Sequence, residues 1–213
     1  MNILAIGAHW DDIELGCSLT LNRFSGLGHK IYCVILCSSD YIVGEYRSSP
    51  ESHALEQGLK SFQLFGWQYL PTRKSESGKL SYDKEIMQQL EGIAEKYDIN
   101  TIFCHWFGDV NTDHQVAWQI ARTAFRQIDN FLMYRSNAYT DHVANFTPNY
   151  FQGFSAEEYD IKHKALCNYS HEWNYRHNRW EREIFECERL WGGLCKHDYA
   201  EGFMIARLVN SCL

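Results

Sequence analysis

The stretch NILAIGAHWDDIELGC (residues 2–17) decides the fold, because an apolar run leads into a cluster of polar groups and then into a helical pattern. Residues 2–7 and 30–37 are nearly all apolar, as expected of strands that are covered on both faces. Between them, apolar residues recur at helical intervals over residues 14–27, and glycines close the segment. The pattern predicts a β-α-β unit.

The same alternation continues towards the middle of the chain. We expect helices at about 51–65, 83–97 and 114–128, and strands at 68–70, 101–105 and 131–135. Strands that alternate with helices in this way predict an α/β fold, an open and mostly parallel sheet with helices on both faces. Ligands bind at the carboxyl ends of the strands in such sheets, so the residues just after each strand are the candidates for a site.

The last third of the chain is less regular. It offers a helix reaching about residue 169, a charged helix near 179–190 and a final apolar run at 203–209. We expect one domain over residues 1–213, in which residues 137–213 form an α+β appendage on the core of residues 1–136. Two polar loops, at 38–53 and 73–79, have the length of an active-site rim.

Composition excludes several classes of protein. A net charge of −7 and a pI near 5.8 have the wrong sign for a nucleic-acid partner. No run approaches the roughly 18 apolar residues of a membrane span, and the amino terminus lacks the features of a signal peptide. The eight cysteines form no CxxC pair and lie mostly in apolar runs, so we expect no structural disulfide and a cytoplasmic location.

Chemically active side chains follow two of the predicted strands. His9, Asp11 and Asp12 follow the first strand, and DVNTDH (residues 109–114) follows the strand that ends at residue 105. Because the first and fourth strands of such a sheet are commonly neighbours, His9, Asp12 and His114 can converge on one ion. Two histidines, one carboxylate and a water form a hydrolytic zinc site.

Simpler interpretations of these residues remain open. Asp12 could cap the following helix, and His9 could be a hydrogen-bonded loop residue without a metal. The sequence contains none of the motifs GxGxxG, GxxxxGK, GxSxG or HExxH, so no other chemistry competes on motif evidence.

Five segments carry a resemblance to a known family. ILAIGAHWDDIELGC (residues 3–17) resembles the [AP]HPDDxxxG signature of the PIG-L or LmbE-like zinc-dependent de-N-acetylases, and DVNTDH lies where that family has HxDH. GEYRSSPE (44–51), KHKALCNYSH (162–171) and YAEGFMIARL (199–208) are similar to further family segments. The resemblance implies a Rossmann-like fold and metal-assisted removal of an acetyl group from an N-acetylated amino sugar or a related small molecule.

The resemblance also implies roles for individual residues. It makes His9, Asp12 and His114 the ligands of Zn²⁺ or another divalent transition metal, and Asp11 the general base. Asp113 matches the aspartate that orients a ligand or a catalytic neighbour. The alternative for Asp11 is a structural cap on the following helix.

Two residues depart from the family pattern. Trp10 replaces the proline of HPDD, where it either shapes the substrate site or packs in the core. Asn111 replaces the first histidine of HxDH; it can donate a neutral hydrogen bond to an oxyanion but cannot shuttle a proton. His142 or His105 could take over that role, unless each is an ordinary loop or core residue.

Candidate substrate contacts lie in the polar rim. Arg47 and Glu51 could grip sugar hydroxyls, or form an i,i+4 ion pair on a solvated loop. His171 stands where the family often has glutamine, which leaves a substrate role for it in doubt. The 15% aromatic content fits a carbohydrate-facing rim, a core or a homo-oligomer interface.

The sequence therefore predicts a cytoplasmic, metal-dependent de-N-acetylase acting on a small acetylated amino sugar. The competing hypothesis is a non-catalytic or weakly catalytic sugar-binding protein on the same fold. A nucleotide-sugar glycosyltransferase is disfavoured, because the sequence has no glycine loop to cradle phosphates.

Overall fold

The computed structural model describes residues 1–39, 42–43, 46–47, 50–137 and 145–209. Its strands are β1 (Asn2–Gly7), β2 (Lys30–Ile35), β3 (Ile42–Val43), β4 (Tyr46–Arg47), β5 (Gln68–Tyr69), β6 (Thr101–His105), β7 (Asn130–Tyr134), β8 (Tyr150–Phe154) and β9 (Tyr199–Leu208). Its helices are α1 (Asp12–Gly26), α2 (Glu51–Phe65), α3 (Lys84–Tyr97), α4 (Thr112–Ala124), α5 (Ala156–Cys167), α6 (Ser170–Trp180) and α7 (Glu186–Cys195), with a π-helical turn at Glu181–Phe185 between the last two.

The main sheet of the described residues has the strand order β5-β2-β1-β6-β7-β9-β8. The first five of these strands are parallel, and helices lie on both faces, which confirms the predicted fold class. The chain runs outward in one direction from β1 to β2 and β5, and then in the other direction from β6 to β7. The carboxyl ends of β1 and β6 therefore meet where the strand order reverses, the position that binds ligands in folds of this type.

The tail extends this sheet. β9 pairs antiparallel with β7, and β8 pairs antiparallel with β9, so residues beyond 137 supply two of its strands. The sequence pattern did not predict β8, because its five residues YFQGF lack an apolar-polar alternation and three of them are half-buried. The division at residue 136 into core and appendage stays a prediction.

Two apolar clusters pack on opposite faces of the sheet. One includes Ile3, Phe103 and Phe203, and the other includes Leu4, Ile102 and Ile120. Alternate residues of β1 and β6 belong to different clusters, as expected of strands covered on both sides. Within the described residues, we find no helix with both the length and the apolar character needed to cross a membrane.

Candidate metal and catalytic site

Three side chains converge at the carboxyl ends of β1 and β6. His9 follows β1, Asp12 is the first residue of α1, and His114 lies in the first turn of α4. Asp12 Oδ2 lies 3.6 Å from His9 Nδ1, and Asp12 Oδ1 lies 3.3 Å from His114 Nε2. One potential ligand atom of each residue lies within 4.8 Å of the other two, so the set fits a divalent cation.

In both His9 and His114, a carboxylate contacts the ring nitrogen that faces away from Asp12. His9 Nε2 lies 2.9 Å from Asp113 Oδ2, and His114 Nδ1 lies 3.0 Å from Asp109 Oδ2. Both carboxylates are buried, so these contacts orient the rings and leave His9 Nδ1 and His114 Nε2 directed at Asp12. Carboxylate-histidine pairs of this kind are common around metals, where they fix the tautomer and raise the basicity of the ligand.

The Asp12 carboxylate is fixed from several sides. Its Oδ2 accepts a hydrogen bond of 2.7 Å from the backbone N–H of His9, and its Oδ1 accepts one of 2.8 Å from the Ser136 hydroxyl. His105 Nε2 lies 3.2 Å from Oδ2. Burial acts to raise the pKa of Asp12, but His114 and His105 outweigh it and hold that pKa well below its usual range.

His105 lies behind the site. Its ring is fully buried and stacks on His114 with a centroid separation of 3.9 Å. Its Nε2 accepts a 3.0 Å hydrogen bond from the Ala8 backbone N–H, and burial lowers its pKa. His105 thus supports Asp12 and His114, and it does not line the cavity that opens over the site.

Opposing electrostatic effects act on the two proposed histidine ligands. Burial acts to lower the pKa of His114, yet Asp12 and Asp109 raise it to about 9. The Asp113 and Asp12 carboxylates likewise outweigh burial at His9 and raise its pKa well above 6.5. The carboxylates therefore attract positive charge to this site, and a divalent cation would supply it in place of the imidazole protons.

Asp11 has an unusual backbone. Its φ of 88° lies in the left-handed region, which is rare for a residue other than glycine and often marks a functional site. Asp11 occupies the cap position of α1, where its carbonyl accepts a 2.9 Å hydrogen bond from the Leu15 N–H, but its side chain makes no capping hydrogen bond and is left for another role. Burial and the adjacent Asp12 charge raise the pKa of Asp11 well above its usual value, while Arg176 opposes them.

Tyr169 and Glu14 support the conformation of Asp11. The Tyr169 hydroxyl interacts with the backbone of Asp11 and donates a 2.6 Å hydrogen bond to Glu14 Oε1. Both supporting side chains are almost fully buried. They fix the turn in which Asp11 stands beside the metal-binding residues.

Asn111 is the amino-terminal cap of α4. Its Oδ1 accepts hydrogen bonds of 2.9 and 3.4 Å from the backbone N–H groups of Asp113 and His114. The residue also lines the cavity, so its amide nitrogen is the group through which it could donate to a ligand. The cap places both Asp113 and His114 in the first turn, which an imidazole at this position would do less well.

Trp10 both packs in the core and borders the cavity. It is 4% exposed, it contacts Phe62 and Tyr69, and a Cβ at Gly58 would overlap its six-membered ring. Lys74 Nζ lies 4.4 Å from the centre of the Trp10 ring. The two expectations for Trp10 therefore do not exclude each other.

Glu51 anchors the polar rim to this part of the fold. It pairs with Lys74, accepts a 2.8 Å hydrogen bond from the Ser39 backbone N–H, and lies 3.4 Å from the indole nitrogen of Trp10. These contacts engage both carboxylate oxygens. A direct contact between Glu51 and a sugar stays a prediction.

A cavity of about 900 Å³ opens over His9, Asp11 and Asp12. Its opposite wall comes from α6 and the π-helical turn, which contribute Glu172, Tyr175, Arg176, Arg179, Trp180 and Glu183. The residues of this wall were not among the predicted site residues, because the segment lies far along the chain and has no motif spacing. Such a volume is near the upper end for small-molecule sites and exceeds the needs of one acetyl group.

Asp109 and Ser136 were also not among the predicted site residues. Asp109 precedes His114 by five residues in the same motif, and Ser136 follows β7, so the rule of searching beyond each strand could have found both. His142 lies outside the described residues. Arg47 lies in β4, and its side chain is also outside the described part of the structure.

Residues 4–125 match the PIG-L family, described as GlcNAc-PI de-N-acetylase. The chain is 27% identical over 170 residues to the "Uncharacterized deacetylase YaiS" of Escherichia coli K12, a match that covers 77% of this chain and 88% of the relative.

Solved structures share the fold at low sequence identity. N,N'-diacetylchitobiose deacetylase from Pyrococcus horikoshii is 18% identical with a TM-score of 0.78, covering 96% of this chain and 83% of its own. GalB, the 4-carboxy-2-hydroxymuconate hydratase of Pseudomonas putida KT2440, is 15% identical with a TM-score of 0.77 and full coverage of both chains. Since one fold serves both a deacetylase and a hydratase, assignment to a family has to come from the sequence match and not from the fold. Because that match covers more than half of the 213 residues, the chain belongs to the PIG-L family of de-N-acetylases, as the resemblance implied.

Proposed function

We propose that this protein is a zinc-dependent hydrolase that removes the acetyl group from a small N-acetylated amino sugar. The observation that supports this most strongly is the set of His9, Asp12 and His114, in which a buried carboxylate orients each imidazole. A set of two nitrogens and one carboxylate, open to a cavity, is the arrangement of a hydrolytic zinc site. Another divalent transition metal would fit the same donors.

Asp11 is the proposed general base. Zinc bound beside it would polarise the amide carbonyl and lower the pKa of a water molecule. Asp11 then accepts a proton from the attacking water and passes it to the nitrogen of the departing amine, so that the carboxylate is regenerated. Burial suits it to this task, because the raised pKa of Asp11 makes the carboxylate a stronger base.

Asn111 is the proposed donor to the developing oxyanion. Its acceptor oxygen is used by the α4 cap, which leaves the amide N–H groups for a ligand in the cavity. A neutral donor stabilises the negative charge without moving a proton, so Asp11 has to perform both proton transfers. His142 is the alternative donor that we proposed from the sequence.

The cavity favours a sugar over a minimal acetamide. Trp10, Tyr169, Tyr175 and Trp180 supply aromatic surface around it, and Arg176 and Glu172 supply polar groups. Aromatic faces together with hydrogen-bonding groups suit a pyranose ring.

The unpaired state of all seven cysteines in the described residues supports the proposed cytoplasmic, reducing location.

The test is a screen for acetate release over a panel of N-acetylated sugars, using metal-free protein with and without added zinc. We expect release from at least one sugar, dependent on zinc, and loss of bound zinc when His9, Asp12 or His114 is replaced by alanine. Zinc binding without acetate release from any sugar would favour the alternative of a sugar-binding protein. Full zinc occupancy in all three alanine variants would refute the ligand assignment.

A further inference from the structure

Cys37 is a buried thiol beside His9 that the proposed mechanism does not use. Parallel pairing of β1 and β2 continues past the strand ends, where the Cys37 backbone N–H donates a 2.8 Å hydrogen bond to the Ala8 carbonyl. The thiol is fully buried, and its sulfur lies within 4.8 Å of a ring nitrogen of His9. The same strand geometry that positions His9 for the hydrolytic site therefore also places a sulfur next to it.

His9, Cys37 and Asp113 form a second group of potential metal ligands. One ligand atom of each residue lies within 4.8 Å of the other two. His9 Nε2 is the ring nitrogen on this side, 2.9 Å from Asp113 Oδ2 and 3.3 Å from the Ser77 hydroxyl oxygen. Sulfur, imidazole and carboxylate together suit zinc, and the thiolate favours softer ions such as cadmium.

The surrounding backbone holds these ligands in place. Ser75 bridges to the end of β2 through hydrogen bonds of 2.9 Å to the Leu36 carbonyl and 2.7 Å from the Ser38 N–H. The Asp113 carboxylate accepts hydrogen bonds of 2.6 and 3.1 Å from the backbone N–H groups of Gly78 and Leu80. A cation entering this group would need little rearrangement of the chain.

His9 cannot serve both groups as a neutral imidazole. A neutral ring has one nitrogen with a free lone pair, and the other nitrogen carries the proton. Binding at Nε2 moves the proton to Nδ1, which removes His9 from the group with Asp12 and His114. The two metal positions are then mutually exclusive at this residue.

We propose that His9 Nε2, Cys37 Sγ and the Asp113 carboxylate form a second metal position, which soft divalent cations occupy in competition with the hydrolytic site. Binding releases the proton of the Cys37 thiol, together with the second ring proton where His9 is an imidazolium, and involves no change of oxidation state. The predicted inhibition of acetate release rests on the proposed function, whereas the existence of the second metal position does not. Excess soft metal therefore inhibits the protein by withdrawing His9.

The first test is a cadmium titration of the metal-free protein, followed by the ultraviolet charge-transfer absorption of cadmium-thiolate bonds. We expect a saturating component in the wild type that is lost in Cys37→Ala. Cys33→Ala is the matched control, because Cys33 is also fully buried and lies in β2, just before the segment that carries Cys37. The proposal is overturned if Cys37→Ala retains the wild-type absorption, if the wild type shows none, or if both variants lose it equally.

The second test compares acetate release at excess cadmium or zinc with release at one equivalent of zinc. We expect the ratio of these two rates of acetate release to fall in the wild type and in Cys33→Ala. Cys37→Ala should require at least about tenfold more metal for the same fall, which is the scale of effect seen for residues around metal sites. An equal fall in Cys37→Ala refutes the inhibitory role. Absence of acetate release from every protein counts against the proposed function, while the absorption titration still decides the metal position.

Discussion

Replacement of Asp109 by asparagine should weaken metal binding, although Asp109 is not one of the three proposed zinc ligands. Asp109 Oδ2 contacts His114 Nδ1 at 3.0 Å, while its Oδ1 accepts a 2.8 Å hydrogen bond from the Asn111 backbone N–H. The amide of asparagine can preserve one of these contacts but carries no charge. Either His114 loses the acceptor that keeps its proton on Nδ1, or it keeps a neutral acceptor that favours a free lone pair on Nε2 less strongly than the carboxylate does.

The expected loss is about 10- to 100-fold in metal affinity, the usual effect of replacing a carboxylate that orients a histidine ligand. This corresponds to about 1.4 to 2.7 kcal/mol. Burial strengthens the expectation, since Asp109 is only 1% exposed and water cannot readily replace the lost acceptor. The measurement is a competition titration of zinc against a chromophoric chelator.

Asp160→Asn is the control for this experiment, because Asp160 is exposed on α5 and lies outside the cavity. It removes one negative charge from the protein without touching the site. Equal affinities of the wild type and Asp109→Asn would refute the role of the carboxylate. Equal losses in both variants would show that net charge, and not the hydrogen bond to His114, governs affinity.

Two further predictions concern single polar side chains. Asn111→Asp keeps an oxygen to cap α4 but removes the amide donor. We therefore expect near-native stability and a turnover reduced by about 10- to 10³-fold. Unchanged acetate release in this variant would exclude the oxyanion role. Burial raises the pKa of Glu14 from 4.5 to about 7 against the hydrogen bond from Tyr169, so the stability that Glu14 contributes is complete below pH 4.5 and is lost as the pH rises through about 7. Urea unfolding over this range should therefore show a decline up to about 3 kcal/mol larger in the wild type than in Glu14→Gln, and parallel pH curves would contradict the shift.

The parallel core of the fold was predictable because each element has a clear local pattern. The predicted strands at 2–7 and 101–105 and the helix at 51–65 match β1, β6 and α2 to the residue. A fully apolar run reflects a strand that is buried on both faces, and helical periodicity reflects a helix that is buried on one face. Both patterns lie within a short stretch of sequence, so a short window is enough to predict the element. The tail was less predictable, because β8 owes its place to pairing with β9, which lies about fifty residues later.

The candidate site was predictable where its residues follow strands. His9, Asp12 and His114 come together because β1 and β6 are neighbours, as we expected from the order of the elements. The wall formed by α6 and the proximity of Cys37 to His9 were not predictable in this way. Both depend on packing between distant segments, for which the sequence carries no spacing signal.

The central claim is that Asp11 and Asp12, although adjacent, divide the work of base and ligand. Asp12 faces His9 and His114, whereas Asp11 stands in a left-handed turn and borders the cavity. The most direct measurement is zinc content and acetate release on the same samples of wild type and Asp11→Asn. We predict equal zinc content and a turnover lower by about 10²- to 10⁴-fold in the variant. Wild-type turnover in Asp11→Asn, or loss of its zinc, would contradict this division of roles.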